Sequence, residues 1–182
     1  MTDRATPLTT RPIALVGMMG AGKTSVGRRL AQRLGRGFVD ADDAIEAAAG
    51  MGIETMFPRY GEPAFRDGER RVIARLLDER HGVIATGGGA FAEEETRALL
   101  KERALTIWLD VPIEVLVERV GRRDHRPLLK GRDARAVIEE LLARRRDGYA
   151  EAHLTIAAGE GPHLRTVDRI VAALDALRSD AA

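Results

Sequence analysis

Short apolar segments alternate with longer amphipathic segments along most of the chain. Five short segments are apolar enough to be buried strands, and they cover residues 13–16, 37–40, 83–86, 105–109 and 154–156. Between and after them, apolar residues recur at helical spacing, which predicts helices over residues 23–34, 43–49, 64–80, 93–103, 112–120, 134–146 and 164–177. This alternation is typical of a parallel sheet whose strands are joined by crossover helices. The chain is therefore predicted to have an α/β fold.

The length and the distribution of polar residues predict one domain. A chain of 182 residues can bury a substantial core, and no internal repeat or long linker divides residues 12–182. Residues 1–11 are rich in Thr and lack the apolar stretch of a signal peptide, so we expect a flexible leader there. Residues 121–133 carry a cluster of basic side chains and cannot belong to the core.

Charge and composition exclude several classes of function. The chain has 29 Lys and Arg against 28 Asp and Glu, and this balance gives no sign of a nucleic-acid or membrane surface. It has no Cys, which excludes thiol catalysis, disulfides and cysteine metal sites. No run approaches the roughly 20 apolar residues that cross a bilayer. We therefore expect a cytoplasmic protein without nucleic-acid or membrane partners.

The first strand candidate leads into a glycine-rich loop with a fixed pattern. Residues 17–24 read GMMGAGKT and match G-x-x-x-x-G-K-[ST], with a strand before and a helix after the loop. Glycines let the backbone amides point at phosphates, and the positive end of the next helix adds to the attraction. Lys23 is expected to reach the β and γ phosphates, and the Thr24 hydroxyl is expected to ligate Mg²⁺. The loop indicates a nucleoside triphosphate, without identifying an acceptor.

Three aspartates follow the second strand candidate. If extended geometry continues, Asp40 and Asp42 project to one face, beside the phosphate loop at the carboxyl edge of the sheet. Either could hold Mg²⁺, directly or through water, or orient an acceptor hydroxyl. Asp also caps helices, and a helical pattern begins here. We favour a functional role for Asp40 and Asp42 and a capping role for Asp43.

Five separated motifs in one order resemble the shikimate kinase family over nearly the whole chain after residue 11. They are the phosphate loop, the Asp-x-Asp pair at Asp40 and Asp42, the segment from Ile53 through Gly61-Glu62 and Phe65-Arg66 to Glu69, the glycine triplet Gly87-Gly88-Gly89, and Arg126-Pro127-Leu128. The resemblance implies a three-layer αβα P-loop fold with a five-stranded parallel sheet. It also implies a lid over about residues 121–133 and a helical segment that binds the acceptor.

The resemblance implies which residues bind the acceptor. Arg66 matches the family position that holds the shikimate carboxylate, a task that suits the planar guanidinium fork. Gly87, Gly88 and Gly89 would let the main chain approach the ring. A second carboxylate Arg is expected at Arg145, although Asp147 stands where the family pattern has Pro. A solvated helix end remains the alternative for Arg145.

The resemblance also implies the nucleotide contacts and the reaction. The ATP-binding residues would be Gly20, Ala21, Gly22, Lys23, Thr24, Ser25, Arg119 beside adenine and Arg126 in the lid. Asp42, Lys23 and Arg126 would be catalytic, with Asp42 positioning the 3-hydroxyl of shikimate and its role as proton acceptor left open. Asp40 would act through the water shell of Mg²⁺, and the protein would be a monomer. The alternatives are another small-molecule kinase of this fold, such as a gluconate kinase, or a non-catalytic nucleotide-binding module.

Overall fold

The computed structural model describes residues 8–79, 82–121, 133–159 and 161–180. Five parallel strands form one sheet in the order β2-β3-β1-β4-β5. Their bounds are Ile13–Val16 (β1), Phe38–Asp40 (β2), Val83–Ala85 (β3), Leu105–Asp110 (β4) and Leu154–Ala157 (β5). All five predicted strands are confirmed to within one or two residues at each end.

Helices cover the sheet and complete the predicted α/β architecture. Their bounds are Lys23–Leu34 (α1), Ala41–Ala49 (α2), Ile53–Asp78 (α3), Glu94–Arg103 (α4), Ile113–Gly121 (α5), Ala134–Ala150 (α6) and His163–Asp180 (α7), with 3-10 turns at Leu8–Thr10 and Ala90–Ala92. The central strand β1 and its neighbour β3 are buried along their whole length, which explains their uninterrupted apolar sequences. None of the helices within the described ranges is long and apolar enough to span a bilayer.

The helix α3 begins eleven residues before the predicted start at residue 64. It contains Pro58 and Pro63, and the backbone at Gly61 leaves the helical region with φ 79° and ψ 165°. Two helical pieces therefore meet at a kink, because Pro63 cannot donate a hydrogen bond to the preceding turn. Both pieces pack with α2 around a small second core, to which α2 gives Ile45, the first piece Met56 and the second piece Phe65. This arrangement places the α2–α3 segment beside the phosphate loop.

The described chain begins inside the predicted leader. Leu8 packs against the main core, and the Arg11 guanidinium donates to the carbonyl of Glu102 at 2.5 Å. Residues 8–11 of the expected flexible leader therefore belong to the domain, because they close one end of the sheet against α4.

Candidate active site

One cavity of about 890 Å³ opens where β1, β2 and β3 end. Its walls come from the phosphate loop, the α2–α3 segment, the turn after β3, and single residues of α5, α6 and α7. The charged and small residues among them are Gly20, Gly22, Lys23, Thr24, Ser25, Asp40, Asp42, Asp43, Glu46, Glu54, Arg66, Glu69, Gly87, Gly88, Gly89, Arg119, Arg145 and His163. The fold thus brings nearly all of the predicted site residues into one space.

The phosphate loop has the backbone conformation that its sequence predicts. Gly17, Gly20 and Gly22 have φ values of 133°, 81° and 90°, which L side chains rarely adopt. Gly22 is the N-cap of α1 and offers no side chain to the first amides of that helix. These amides are therefore available to an anion, as a phosphate-binding helix start requires.

Lys23 lies in the cavity floor with only 8% of its surface exposed. Its Nζ donates to the Gly17 carbonyl at 2.8 Å and to the Met18 carbonyl at 2.9 Å. The amine therefore curls over the loop that carries it. The cation is thus held beside the backbone that is predicted to bind the phosphates.

Thr24 and Asp40 form a pair of oxygen donors at the edge of the loop. The Thr24 hydroxyl donates to Asp40 Oδ2 at 2.6 Å, while Asp40 Oδ1 accepts from the backbone N–H of Asp42 at 3.1 Å. The N-cap of α2 is thus Asp40, and the prediction that Asp43 caps this helix is wrong. Helix α2 starts at Ala41, immediately after β2, so Asp43 already lies within its first turn.

Asp42 reaches the cavity by a route that the sequence pattern did not predict. Extended geometry ends at Asp40, and the first turn of α2, rather than a continued strand, brings both carboxylates to one space. Burial raises the pKa of Asp42, and the negative charge of Asp40 raises it further, whereas Lys23 opposes the shift. A raised pKa makes a carboxylate a stronger base, which suits a proton acceptor.

Arg66 projects from α3 into the opposite end of the cavity. Its guanidinium pairs with Glu69 at 2.8 Å and with Glu62 at 3.1 Å, and it lies 5.3 Å from the ring centre of Phe65. The Nε of Arg66 is buried and has no hydrogen-bond partner among the described residues. The two carboxylates hold the guanidinium at the cavity wall, where 14% of the side chain stays exposed and its planar fork suits a carboxylate.

Glu69 is almost fully buried, with 1% of its surface exposed, and it holds Arg66 in place. Burial raises the pKa of Glu69, Arg66 lowers it, and the nearby Asp42 raises it again. The sequence analysis gave Glu69 no role of its own. The i,i+3 spacing from Arg66, which favours ion pairs along a helix, was the signal that could have identified it.

The glycine triplet after β3 makes room for these charged side chains. A Cβ at Gly87 would lie 2.8 Å from Asp42 Oδ1 and 2.9 Å from Glu69 Oε1, and one at Gly89 would overlap the Arg66 guanidinium. One at Gly88 would lie 3.1 Å from the backbone N of Met19 in the phosphate loop. Glycine is therefore required here by the protein's own site residues, independently of any ligand.

Arg145 faces the cavity in spite of the Asp147 replacement. Helix α6 continues through Asp147 to Ala150, and the Arg145 Nη1 donates to the Gly88 carbonyl at 3.2 Å. The buried hydroxyl of Tyr149, one turn later, also donates to Gly88 O. Arg144 and Arg146 point elsewhere, toward Glu140 and Asp110 respectively. The helical register thus selects Arg145 from the three neighbouring arginines.

The nucleotide side of the cavity contains Arg119 and a histidine that the sequence analysis missed. Arg119 donates to the Gly20 carbonyl at 3.3 Å and to the Gly159 carbonyl at 3.2 Å. His163, the first residue of α7, lies against Gly22. No motif in the sequence identifies this histidine. The predicted contact from Arg126 falls outside the described residues, as does most of the predicted lid.

Comparisons with known proteins agree on one family. A family model described as shikimate kinase matches residues 19–175. The shikimate kinases of Caulobacter vibrioides and Rhodopseudomonas palustris are 53% and 55% identical to this chain, over 96% and 90% of its length and 87% and 81% of theirs. Both relatives therefore cover almost the entire domain.

Solved structures give the same result. A shikimate kinase from Acinetobacter baumannii in complex with shikimate superposes with a TM-score of 0.87 at 38% identity, covering 93% of this chain and 95% of that one. A gluconokinase from Sinorhizobium meliloti reaches a TM-score of 0.65 at 20% identity, over 95% of this chain and 96% of that one, which shows a shared fold only. The chain belongs to the shikimate kinase family, whose activity is the ATP-dependent phosphorylation of an alcohol group of shikimate.

Proposed function

We propose that this chain transfers the γ-phosphoryl group of ATP to the 3-hydroxyl of shikimate and releases shikimate 3-phosphate and ADP. The observation that carries the proposal is that one cavity joins a phosphate loop at one end to the Arg66 guanidinium at the other. A ring with a carboxylate and several hydroxyls suits this cavity, because the carboxylate can bind Arg66 while a hydroxyl faces the phosphate loop. The product serves chorismate and aromatic amino acid biosynthesis.

At the acceptor end, Arg66 and Arg145 hold the carboxylate, and the glycine triplet supports the ring. Arg66 is oriented by Glu69, and Arg145 by its bond to Gly88 O. Arg66 is the more firmly positioned ligand, because two carboxylates fix its guanidinium, whereas Arg145 is oriented by a hydrogen bond to one carbonyl. The carboxylate position then directs the hydroxyl side of the ring toward Asp42.

At the reacting centre, Asp42 orients the 3-hydroxyl and accepts its proton as the oxygen bonds to the γ phosphorus. The bond from that phosphorus to the β–γ bridging oxygen breaks, and ADP leaves. Lys23 moves from the loop carbonyls to the β and γ phosphates, and Arg126 adds a second cation from the lid. Transfer through a loose transition state depends mainly on such positioning and charge neutralisation.

The residues present fit a magnesium ion. Thr24 and Asp40 offer oxygen atoms 2.6 Å apart at the edge of the loop, and Mg²⁺ prefers oxygen ligands with retained waters. No group of three His, Asp or Glu side chains within the described ranges could hold a metal alone. Thr24 would bind the ion directly and Asp40 through water, with phosphate oxygens completing the shell. When bound, the ion neutralises triphosphate charge.

We further propose a cytoplasmic monomer. Its donor substrate, ATP, is cytoplasmic, and residues of one chain line both ends of the cavity. Sedimentation of the purified protein at micromolar concentration is expected to give a mass near 19.8 kDa.

The decisive assay measures ADP release with Mg-ATP and each of shikimate, quinate, gluconate and a nucleoside monophosphate. Shikimate is expected to stimulate ADP release most strongly at millimolar concentration. Stimulation by gluconate instead would identify a gluconate kinase, and no stimulation by any acceptor would favour a nucleotide-binding module. Either result would contradict the proposed function.

The role of Asp42 is tested by Asp42→Asn. We expect kcat to fall by about 10²- to 10³-fold, because the variant cannot accept the proton. Calorimetric binding of ADP should remain within about twofold of the wild type, because the phosphate loop is intact. A wild-type kcat would remove Asp42 from the mechanism.

A further inference from the structure

A second cavity, of about 560 Å³, opens beyond the ends of β4 and β5, between α5, α6 and α7. Pockets that bind small molecules commonly have volumes of about 300 to 1,000 Å³, so a small organic molecule fits this space. The proposed function uses none of its described lining residues, and none of them lines the active-site cavity. They are residues 110–113 and 157–158 with Leu142, Arg146 and Arg169.

Apolar residues form most of the wall of the second cavity. The turn from β4 into α5 contributes Val111, Pro112 and Ile113, and α6 contributes Leu142. Ile113 and Leu142 pack against the main core but stay only partly buried. A ligand with an apolar body would remove their remaining surface from water, which favours binding.

Two guanidinium groups and one carboxylate supply the charges of the second cavity. Arg169 Nη1 donates to the Ala157 carbonyl at 2.7 Å, which holds this side chain near the end of β5. The Arg146 guanidinium lies 5.3 Å from the ring centre of Trp108, and its Nη2 is 3.4 Å from Asp110 Oδ2. Two positive charges and one negative charge leave one net positive charge, so the second cavity favours an anion over a cation.

Both arginines keep donors that a ligand can use. A guanidinium has five N–H groups. Among the described residues, Arg169 uses its guanidinium for one carbonyl, and Arg146 makes one long hydrogen bond to Asp110. A planar fork binds a carboxylate through parallel hydrogen bonds. We infer that the second cavity binds a small organic monocarboxylate, with its carboxylate on Arg146 and Arg169 and its apolar body against the apolar wall.

The test titrates the protein with phenylacetate and follows tryptophan fluorescence. Trp108 is the only tryptophan in the sequence and lies beside Arg146, so its emission should change saturably as the second cavity fills. Arg146→Ala and Arg169→Ala should each raise the Kd for phenylacetate about tenfold or more, the effect of losing a charged hydrogen bond. Arg169→Ala also keeps the contact between Arg146 and Trp108.

The matched controls are Arg144→Ala on α6 and Arg165→Ala on α7, two exposed arginines that line neither cavity. Both should bind phenylacetate as the wild type does. Equal weakening in a control and in Arg169→Ala would overturn the inference by showing a general effect of surface charge. Phenethylamine, which has a similar apolar body and an ammonium group, should not bind. Tighter binding of phenethylamine than of phenylacetate would also overturn the inference.

The titration is repeated with excess ADP and shikimate, and with the variant Arg66→Lys. The Kd for phenylacetate should stay within about twofold of the wild-type value in both, because the second cavity lies outside the active site. Loss of binding in either case would place phenylacetate in the active-site cavity and overturn the inference, as would the absence of saturable binding. The measurement needs no turnover, so its result is independent of whether shikimate is the acceptor.

Discussion

The phosphate loop takes its shape from the main chain of eight consecutive residues, whereas the acceptor end is assembled from side chains on three helices and a glycine-rich turn. The loop needs its three positive-φ glycines and the uncapped start of α1. The acceptor end needs Asp42, Arg66, Glu69 and Arg145, which are distant in sequence and meet only in the folded chain. The donor half is therefore a local property of the sequence, and the acceptor half is a tertiary one.

The two halves also differ in their electrostatics. The donor end presents backbone amides and one buried cation, so an anion enters a site that is already positive. The acceptor end holds a buried carboxylate, Glu69, against a guanidinium, with Asp42 close enough to influence it. A change at the acceptor end should therefore disturb several charges at once, while a change at the donor end should act mainly on the nucleotide.

Lys23→Ala should give the largest effect and leave the acceptor end intact. We expect kcat/KM for ATP to fall by at least about 10³-fold, because the cation that neutralises the transferred phosphoryl group is lost. Lys101→Ala is the matched control, since Lys101 pairs with Glu151 away from the cavity. Steady-state ADP release measures the loss, and calorimetry should find shikimate binding within about threefold of the wild type. Activity within about tenfold of the wild type would contradict the assigned role.

Arg66→Lys should impair the acceptor end and leave the nucleotide end unchanged, which is the reverse of the effect expected for Lys23→Ala. Lysine keeps the charge but cannot offer a planar fork, so we expect the KM for shikimate to rise by about 10- to 50-fold. The KM for ATP should stay within about twofold. Arg71→Lys is the control on the same helix, because Arg71 is 78% exposed and pairs only with Asp67 among the described residues. Equal changes in both KM values would show that the two ends are not separable.

The main fold could be predicted from sequence because its interior strands are apolar on both faces. Buried strands such as β1 and β3 read as uninterrupted apolar runs, and such runs have few alternative structures. The start of α3 could not be predicted in this way. Pro58, Gly61 and Pro63 interrupt its pattern, and only packing against α2 keeps this segment helical.

The sequence predicted the site residues that belong to a contiguous motif. It predicted less well those that reach the cavity only through the folding of the chain. The phosphate loop has a fixed spacing, so its residues were identified from sequence alone. Asp43 was wrongly chosen as the cap, because the pattern did not show that α2 follows β2 without a break. Glu69 was included in a motif without a role of its own, and His163 was not recognised as a site residue, because only the folded chain brings it to the cavity.

Arg145→Ala tests whether the second arginine at the acceptor end binds the carboxylate of shikimate. We expect the KM for shikimate to rise by about tenfold, less than a full carboxylate anchor would cost, because Arg145 already donates to the Gly88 carbonyl. Arg144→Ala is the matched control, since that side chain is 72% exposed and pairs with Glu140. Kinetics with shikimate as the varied substrate measure both variants. A larger effect in Arg144→Ala would mean that α6 binds the acceptor in a different register.

Asp42→Asn should reveal the smallest effect, a gain in stability that depends on pH. Burial and Asp40 raise the pKa of Asp42 above its ordinary value of 3.8, so the folded protein disfavours the ionised form. Stability is therefore lost as pH rises above 3.8 and through the higher pKa of the folded state, and the uncharged Asn escapes this loss. The melting temperature of the variant should exceed that of the wild type at pH 8, and the difference should shrink as the pH falls toward 4. Asp168→Asn, which changes an exposed carboxylate of α7 that does not line the cavity, should show no such trend. A variant less stable than the wild type at pH 8 would mean that Asp42 contributes to folding, and that the acceptor end is not strained by its own charges.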